Sequence, residues 1–476
     1  MQFLDARRLT GPSLLFDAPA AILDVECEPG ETDAVDAVWR ASVRRMTDSL
    51  GWPEPEYSRV DLEGGASFAF TAPIDCLYAA SELNEWAWRV IDAELNGAEM
   101  PDFDATRAAL AEARAEEANP DLLALETLAA ERGVTFLWDD DEVSLGLGRT
   151  AQTWPANELP DSPALDWASF DDVPTGLVTG TNGKTTVVRL ATHILRSAGL
   201  HVGLSSTDWI AVDDRIIDRG DWSGPGGARA VLRQPDVDCA ILESARGGLL
   251  RRGLGVTRAD AALITNISED HLGDFGSHTI DELLEIKWIV SRAVRDNGVL
   301  ILNADDPRLV RRAETHPGKI CWFGLDPDSD AMSRALAAGG PAWMLEDGEL
   351  VRVADGGRDA ILKDSDIAIT LNGAARHNTA NALAAAALAD ALGVSSAALR
   401  DGLASMSQDD NPGRCNIYDV GGIRVLVDFA HNPAAMSALF DMASALPAKR
   451  RVLCFGQAGD RTDALIRELA HDAFAI

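Results

Sequence analysis

The chain has 476 residues, 46% of them hydrophobic and 25% charged, the balance of a folded protein with room for two to four domains. A formal net charge of −34 argues against nucleic acid and anionic membranes as partners, because both would be repelled. The six cysteines, Cys27, Cys76, Cys239, Cys321, Cys415 and Cys454, contain no Cys-x-x-Cys pair, which excludes a zinc ribbon and argues against a disulfide framework.

The opening MQFLDARRLTGP lacks the long apolar run of a signal peptide, and no segment approaches membrane-spanning length, so a reducing cytoplasm is the expected location. Residues 1–165 read as an α+β N-terminal domain without a catalytic motif. FLDARRLTGPSLLF begins as a strand and ends in a Gly-Pro turn, and AAILDVE reads as a second strand. Thr32 to Leu50, Ile74 to Leu95 and Asp104 to Ala118 have helical spacing. LLALETLAAERGVTFLW reads as a helix followed by a strand, and NELPDSPALDWASFDDVP as a linker.

From Pro174 the pattern becomes repeated strand-helix units, which predicts an α/β domain over residues 166–410 with a mostly parallel sheet. The expected strands are Gly176 to Thr179, Val202 to Ser205, Cys239 to Leu242, Ala261 to Thr265 and Val299 to Leu302. Cys321 to Ile369 reads as an irregular, hairpin-rich excursion, and residues 377–406 as helical. Residues 411–476 read as a partial C-terminal α/β, Rossmann-like domain: strand IRVLVDF, a helix from Pro433 to Ala445, strand RVLCFG and a second helix. Two strands are few for an independent α/β core, so this domain reads as truncated or as leaning on a partner.

The stretch Val178-Thr179-Gly180-Thr181-Asn182-Gly183-Lys184-Thr185-Thr186 follows a short apolar strand and precedes a helix with apolar residues at Val188, Leu190, Ala191, Ile194 and Leu195. Strand, glycine loop and helix in that order form a phosphate-binding loop. Gly180 and Gly183 let backbone N–H groups turn toward phosphate oxygens, and the helix N-terminus adds partial positive charge. Lys184 supplies a full charge to the terminal phosphates, and the Thr185 hydroxyl is placed to ligate magnesium. Val178 stands where the usual loop has a further glycine, so this is a shortened form. ATP or GTP binding is expected.

Ligands of parallel sheets gather at the carboxyl ends of the strands. Glu243 in LESARGG, Asn266 after AALIT and Asn303 in LNADDP fall there, and His271 lies in the polar loop NISEDHLG. Glu243 is a candidate magnesium ligand, with a surface salt bridge as the alternative. For His271 the alternative is a helix cap. Lys287, on the helix IDELLEIKWIVSRAV, would ordinarily be a lysine reaching to the surface, and Asn303-Ala304-Asp305-Asp306-Pro307 is also a common turn.

Taken in order, VTGTNGKTT, LESARGG, TNISEDHLG, LNADDP, ARHNTANALAA, NPGR, VDFAHNP and GQAGDR resemble the Mur ligase superfamily. Within it, STDWIAVDDRIIDRGDWSGPGGA and LESARGGLLRRGLG resemble the Mur-like half of the cyanophycin synthetases, and RRLTGP and GVTFLWDDDEVSLGLGR resemble their N-terminal domain and the segment just before their ATP-grasp domain. The segment between Arg149 and Pro174 has no room for the ATP-grasp domain those enzymes carry there, so the chain should not make cyanophycin alone. The resemblance implies an ATP-dependent ligase that joins a carboxylate to an amine, as small molecules or peptides, through an acyl phosphate. It implies that Gly180, Thr181, Asn182, Gly183, Lys184, Thr185 and Thr186 hold the phosphates. Thr185 and Glu243 would bind a first magnesium ion and His271 a second. Lys287 matches a lysine that some members carbamylate, Asn303, Asn378 and Asn381 lie near adenine-contacting positions, Arg414 matches a phosphate-contacting arginine, and Asp428 matches a ribose-binding acid. Phe429 stands where the family usually has tyrosine. Gly459, Asp460 and Arg461 complete the motif set. A regulatory nucleotide-binding homologue without catalysis is the alternative reading.

Overall fold

Strands β1 (Gln2–Leu9), β2 (Ala20–Glu26), β3 (Tyr57–Leu62) and β4 (Gly65–Thr71) form an antiparallel sheet in the order β1-β2-β4-β3. The computed structural model describes residues 1–270, 278–354, 356–456 and 463–474. Helices α1 (Thr32–Leu50) and α2 (Leu77–Ile91) cover one face of this sheet, burying Trp39 and Trp86 with Leu23, Phe68 and Phe70. The Trp39 indole N–H donates to Asn84 Oδ1 at 2.9 Å, so its one polar group is satisfied inside the core. Helices α3 (Phe103–Glu117) and α4 (Pro120–Arg132) follow, then a small antiparallel sheet of β5 (Phe136–Trp138), β6 (Glu142–Leu145) and β7 (Gln152–Pro155).

The central domain is built on one eleven-stranded sheet. Its strands are β8 (Thr175–Thr179), β9 (Val202–Ser205), β10 (Trp209–Val212), β11 (Arg215–Arg219), β12 (Cys239–Glu243), β13 (Ala259–Ile264), β14 (Val294–Asn303), β15 (Ile320–Gly324), β16 (Ala342–Glu346), β17 (Glu349–Ala354) and β18 (Gly357–Lys363). The order is β11-β10-β9-β12-β8-β13-β14-β15-β16-β17-β18. Pairing is parallel from β9 through β16 and antiparallel at both edges. Central strands such as Ala261–Ile264 are apolar without alternation because both of their faces are covered.

Helices α5 (Lys184–Ser197), α6 (Pro225–Leu232), α7 (Arg246–Arg252), α8 (Ile280–Trp288), α9 (Pro307–Ala313), α10 (Asp330–Ala337), α11 (Arg376–Ala391) and α12 (Ser396–Ser405) complete this domain. One face packs on α5, α11 and α12 through Val188, Ile194, Leu383 and Leu399, and the other on α6, α7 and α8 through Val231, Leu249 and Ile286. Strands β19 (Asn416–Val420) and β20 (Ile423–Val427) then form a hairpin, followed by α13 (Pro433–Ala445) and α14 (Asp463–Phe474).

All five strands expected between Gly176 and Leu302 are present. Two readings change. The segment from Cys321 is no excursion: β15 and β16 extend the parallel sheet, and only β17 and β18 turn back as hairpins. These strands are too short to announce themselves locally, and pairing to β14 defines them. In the C-terminal region, IRVLVDF pairs antiparallel with Asn416–Val420, while residues 451–456 form no strand. They lack a ladder partner among the described residues, and Val452 is 80% exposed.

Candidate active site

The phosphate loop leaves the end of β8, at the middle of the sheet. Gly180 has φ +143° and packs so closely on Thr265 that a Cβ would run into its hydroxyl. Gly183 has φ +87°, and a Cβ there would run into Asn381 Oδ1. The loop is tied to the end of β13. Thr181 N–H donates to Asn266 O at 2.9 Å, Asn182 N–H to Asn266 Oδ1 at 3.0 Å, and Thr265 Oγ1 to Asn182 O at 2.6 Å. Those bonds preorganise the loop before any phosphate arrives.

Lys184 Nζ donates to Gly180 O at 3.0 Å and Thr181 O at 2.9 Å, so its charge lies over the mouth of the loop. The register of β12 against β8 sets Glu243 beside Val178. Glu243 is 1% exposed, accepts from Thr185 Oγ1 at 3.0 Å and from Thr207 Oγ1 at 2.7 Å, and is therefore not the surface acid of the alternative reading. Its described hydrogen bonds come from hydroxyl and amide groups, with no cationic donor. A buried carboxylate so arranged, beside a threonine hydroxyl, is a set of hard oxygen donors that suits magnesium.

Lys287 departs from the expected surface lysine: it is 4% exposed and donates to Gly180 O at 2.8 Å. A Thr279–Glu282 capping box starts α8 and directs the lysine-bearing face inward. Burial, reinforced by repulsion from Lys184, holds the Lys287 amine well below the ordinary lysine range. The described residues do not extend to His271, nor to Gly459, Asp460 and Arg461. Asp270, the residue before His271 in sequence, lies 3.7 Å from His431 Nε2.

The remaining predicted residues converge on the same cleft, which has a volume of about 1280 Å³. Asn303 donates to Thr265 O at 2.9 Å and accepts from Asp305 N–H, so its amide braces two strand ends. Asn378 donates to Ile369 O at 2.9 Å, and Asn381 donates to Asn378 Oδ1 at 3.2 Å, leaving the Asn381 oxygen against Gly183. Arg414 lies 3.6 Å from Asp208 Oδ2 and stacks 4.5 Å from the centre of the Phe429 ring. Asp428 accepts from Cys415 N–H and Ala430 N–H at 2.8 and 2.7 Å. Cys415 adopts φ +53°, and its thiol lies 3.2 Å from His377 Nε2.

Several site residues were passed over in the sequence. Thr186 accepts from Asn411, which also binds Arg189, and Arg189 donates to Asp208 at 2.5 Å. Burial pulls the Arg189 guanidinium down to about 10. Asn432 is fully buried and forms a reciprocal amide pair with Asn182, at 2.9 and 3.2 Å, while its Oδ1 caps α13. Thr207 was accessible to the strand-end rule, since it follows β9 by two residues. Asn432, 250 positions from Asn182, had no local signal.

Residues 178–389 match the Mur ligase middle domain, and residues 413–475 match the Mur ligase glutamate ligase domain. The chain is 39% identical over 295 residues to cyanophycin synthetase of Trichormus variabilis, covering 61% of this chain and 32% of that protein. It is 34% identical over 228 residues to UDP-N-acetylmuramoylalanine–D-glutamate ligase of Chromobacterium violaceum, covering 48% of this chain and 42% of that one. The chain thus spans about a third of the length of the cyanophycin synthetases it matches. MurF from Acinetobacter baumannii superposes with a TM-score of 0.48 at 21% identity, over 64% of this chain and 62% of that chain. With these two Mur ligase domains matched in order over more than half of its residues, the chain belongs to the Mur ligase family.

Proposed function

We propose that the protein is an ATP-dependent ligase that forms an amide between a carboxylate and an amine. The observation that carries this reading is the pairing of the phosphate loop with the buried Thr185–Glu243 oxygen pair and the buried Lys287 in one cleft. A nucleotide-binding module needs the loop and an acid for magnesium but has no use for a buried lysine beside them.

In this reading one oxygen of the acid attacks the γ-phosphorus of ATP and the bond to ADP breaks, giving an acyl phosphate. The amine nitrogen then attacks the acyl carbon, phosphate departs with that oxygen, and a proton leaves the nitrogen. The loop amides from Gly180 to Thr186 and Lys184 hold the β- and γ-phosphates in line for the first step. Arg414 contributes charge from the C-terminal side, Asp428 takes the ribose, and Asn303, Asn378 and Asn381 set the adenine end. Magnesium, when bound, neutralises phosphate charge. Thr185 and Glu243 are the residues that would hold a first ion, and His271 is assigned to a second.

Lys287 is suited to carbamylation because the reaction with carbon dioxide needs a neutral amine, which its burial favours. Carbamylation would turn a cation into a carboxylate able to bridge metal ions. The acid and amine are peptides, amino acids or related metabolites, in line with the amino-acid ligases among the relatives.

Phosphate release from ATP, measured on a panel of acids and amines, tests the reading. Release should require an acid and an amine together and should collapse in Lys184→Ala. Release without either partner, or release that survives Lys184→Ala, sinks it.

A further inference from the structure

Strand β9 runs into a tight turn, Ser206 to Trp209, whose two middle residues each hold a group that lines the cleft. Ser206 Oγ accepts from Asp208 N–H and Trp209 N–H, both at 3.3 Å, and Ser206 N–H donates to Trp209 O at 3.0 Å. Gly220 N–H donates to Asp208 O at 3.0 Å, so the turn is braced from both sides. Thr207 donates its hydroxyl to Glu243. Asp208 meets two guanidinium groups through one oxygen: its Oδ2 lies 2.5 Å from Arg189 Nη2 and 3.6 Å from Arg414 Nη2.

Arg189 is buried on α5, the helix that begins at Lys184. Its Nη1 donates to Asn411 Oδ1 at 3.2 Å and to Pro412 O at 3.0 Å, and its guanidinium stacks 4.4 Å from the centre of a Trp209 ring. Arg414 N–H donates to Asn411 O at 3.3 Å, so the turn that presents Arg414 is fastened to the phosphate-loop helix. Arg414 itself is lightly held. Among the described residues its guanidinium makes one hydrogen bond, Nη1 to Gly413 O at 3.3 Å, which leaves donors for the cleft that it lines. Burial and the neighbouring Arg414 both oppose the charge on Arg189, and Asp208 favours it.

We infer that Asp208 is a positioning residue for nucleotide binding, which keeps Arg414 at the cleft by sharing one carboxylate oxygen between that arginine and the buried Arg189. The inference rests on the ligase reading, in which Arg414 brings charge to the phosphates of ATP. An acid that served only the fold would be satisfied by Arg189, whose contact is the shorter. The longer contact attracts Arg414 without saturating it, which suits a side chain that must give its donors to phosphate. One turn then sets two groups from different domains, the metal-side acid Glu243 through Thr207 and the phosphate-side Arg414 through Asp208.

The full chain is titrated, in magnesium, with a non-hydrolysable ATP analogue. Asp208→Asn keeps an acceptor for Arg189 but removes the charge, and it should weaken binding about tenfold, the worth of one charge-assisted contact. Asp208→Glu, which restores the charge, should return binding to within about threefold of the parent. Arg414→Ala should weaken binding by about tenfold or more, and adding Asp208→Asn to it should cost no more than about twofold further, because an acid that acts through Arg414 then has nothing left to position. A purely structural acid would add its loss in full. Asp208→Ser supplies the same comparison should the asparagine variant fail to fold. Additive losses in the double variant overturn the inference, as does analogue binding that Asp208→Asn leaves unchanged. Failure of the unmodified chain to bind the analogue would instead count against the ligase reading itself.

Discussion

The N-terminal domain meets the central sheet through backbone bonds at Thr10–Arg252 and Pro12–Leu254, with Gly11 and Gly253 in close contact. The C-terminal domain meets the phosphate loop through side chains: the Asn182–Asn432 amide pair, Arg189 with Asn411 and Pro412, and Arg414 with Asp208. A backbone interface packed glycine to glycine has one register and no adjustable part. Amide and guanidinium contacts can break and re-form against water at about 1 kcal/mol each. The comparison teaches that the N-terminal side of the central sheet is a fixed backbone interface, whereas the C-terminal side meets the phosphate loop through side-chain contacts.

The largest expected effect belongs to neither interface but to the loop between them. Lys184→Ala should lower kcat/KM for ATP about 10²- to 10³-fold, the usual loss for a charge aimed at the reacting phosphates. If turnover is unchanged, the loop is not the reaction site and the comparison loses its reference point. Gly253→Ala attacks the fixed side. At φ +81°, with Gly11 and Pro12 carbonyls in its path, the new methyl should destabilise the fold by about 2–3 kcal/mol in urea unfolding. A loss within about 0.5 kcal/mol would show that this interface yields after all.

On the adjustable side, Asn432→Ala should cost about 1–2 kcal/mol, from the lost α13 cap and the stranded Asn182 amide. Asn432→Ser restores a cap without the reach to Asn182. It should recover stability yet keep a raised KM for ATP, and recovery of both would deny the link between loop and domain. The smallest expected effect concerns Lys287. Burial holds its amine well below the value near 10.5 of an unfolded lysine, so between the two unfolding takes up a proton. Stability should therefore rise with pH from the depressed folded value up to about the unfolded one, and the rise should vanish in Lys287→Met. Parallel pH profiles for the two proteins would contradict the burial argument.

Much of the central domain was legible because its signals are local. The loop motif, the unbroken apolar strands and the polar residues that follow them each occupy a few consecutive positions. Glu243 and Lys287 were legible as positions, while their burial was not, because it depends on β12 pairing with β8 and on the capping box that turns α8. The strands from Ile320 to Glu346 were hidden for a related reason: five-residue runs with Trp, Met and Gly carry little preference until a neighbouring strand supplies partners. LLRRGLG and RRLTGP were legible as motifs, while their contact, through Thr10 N–H to Arg252 O, was not. Contacts such as Asn182–Asn432 join residues too distant for any spacing rule.

Transfer of a heavy-oxygen label tests the central claim most directly. An acid substrate found in the panel is labelled in its carboxylate oxygens and turned over with ATP and the amine. Ligation through an acyl phosphate predicts one labelled oxygen in each phosphate released, with the other retained in the amide. Phosphate free of label would mean that water, not the carboxylate, attacks ATP, and would contradict the account.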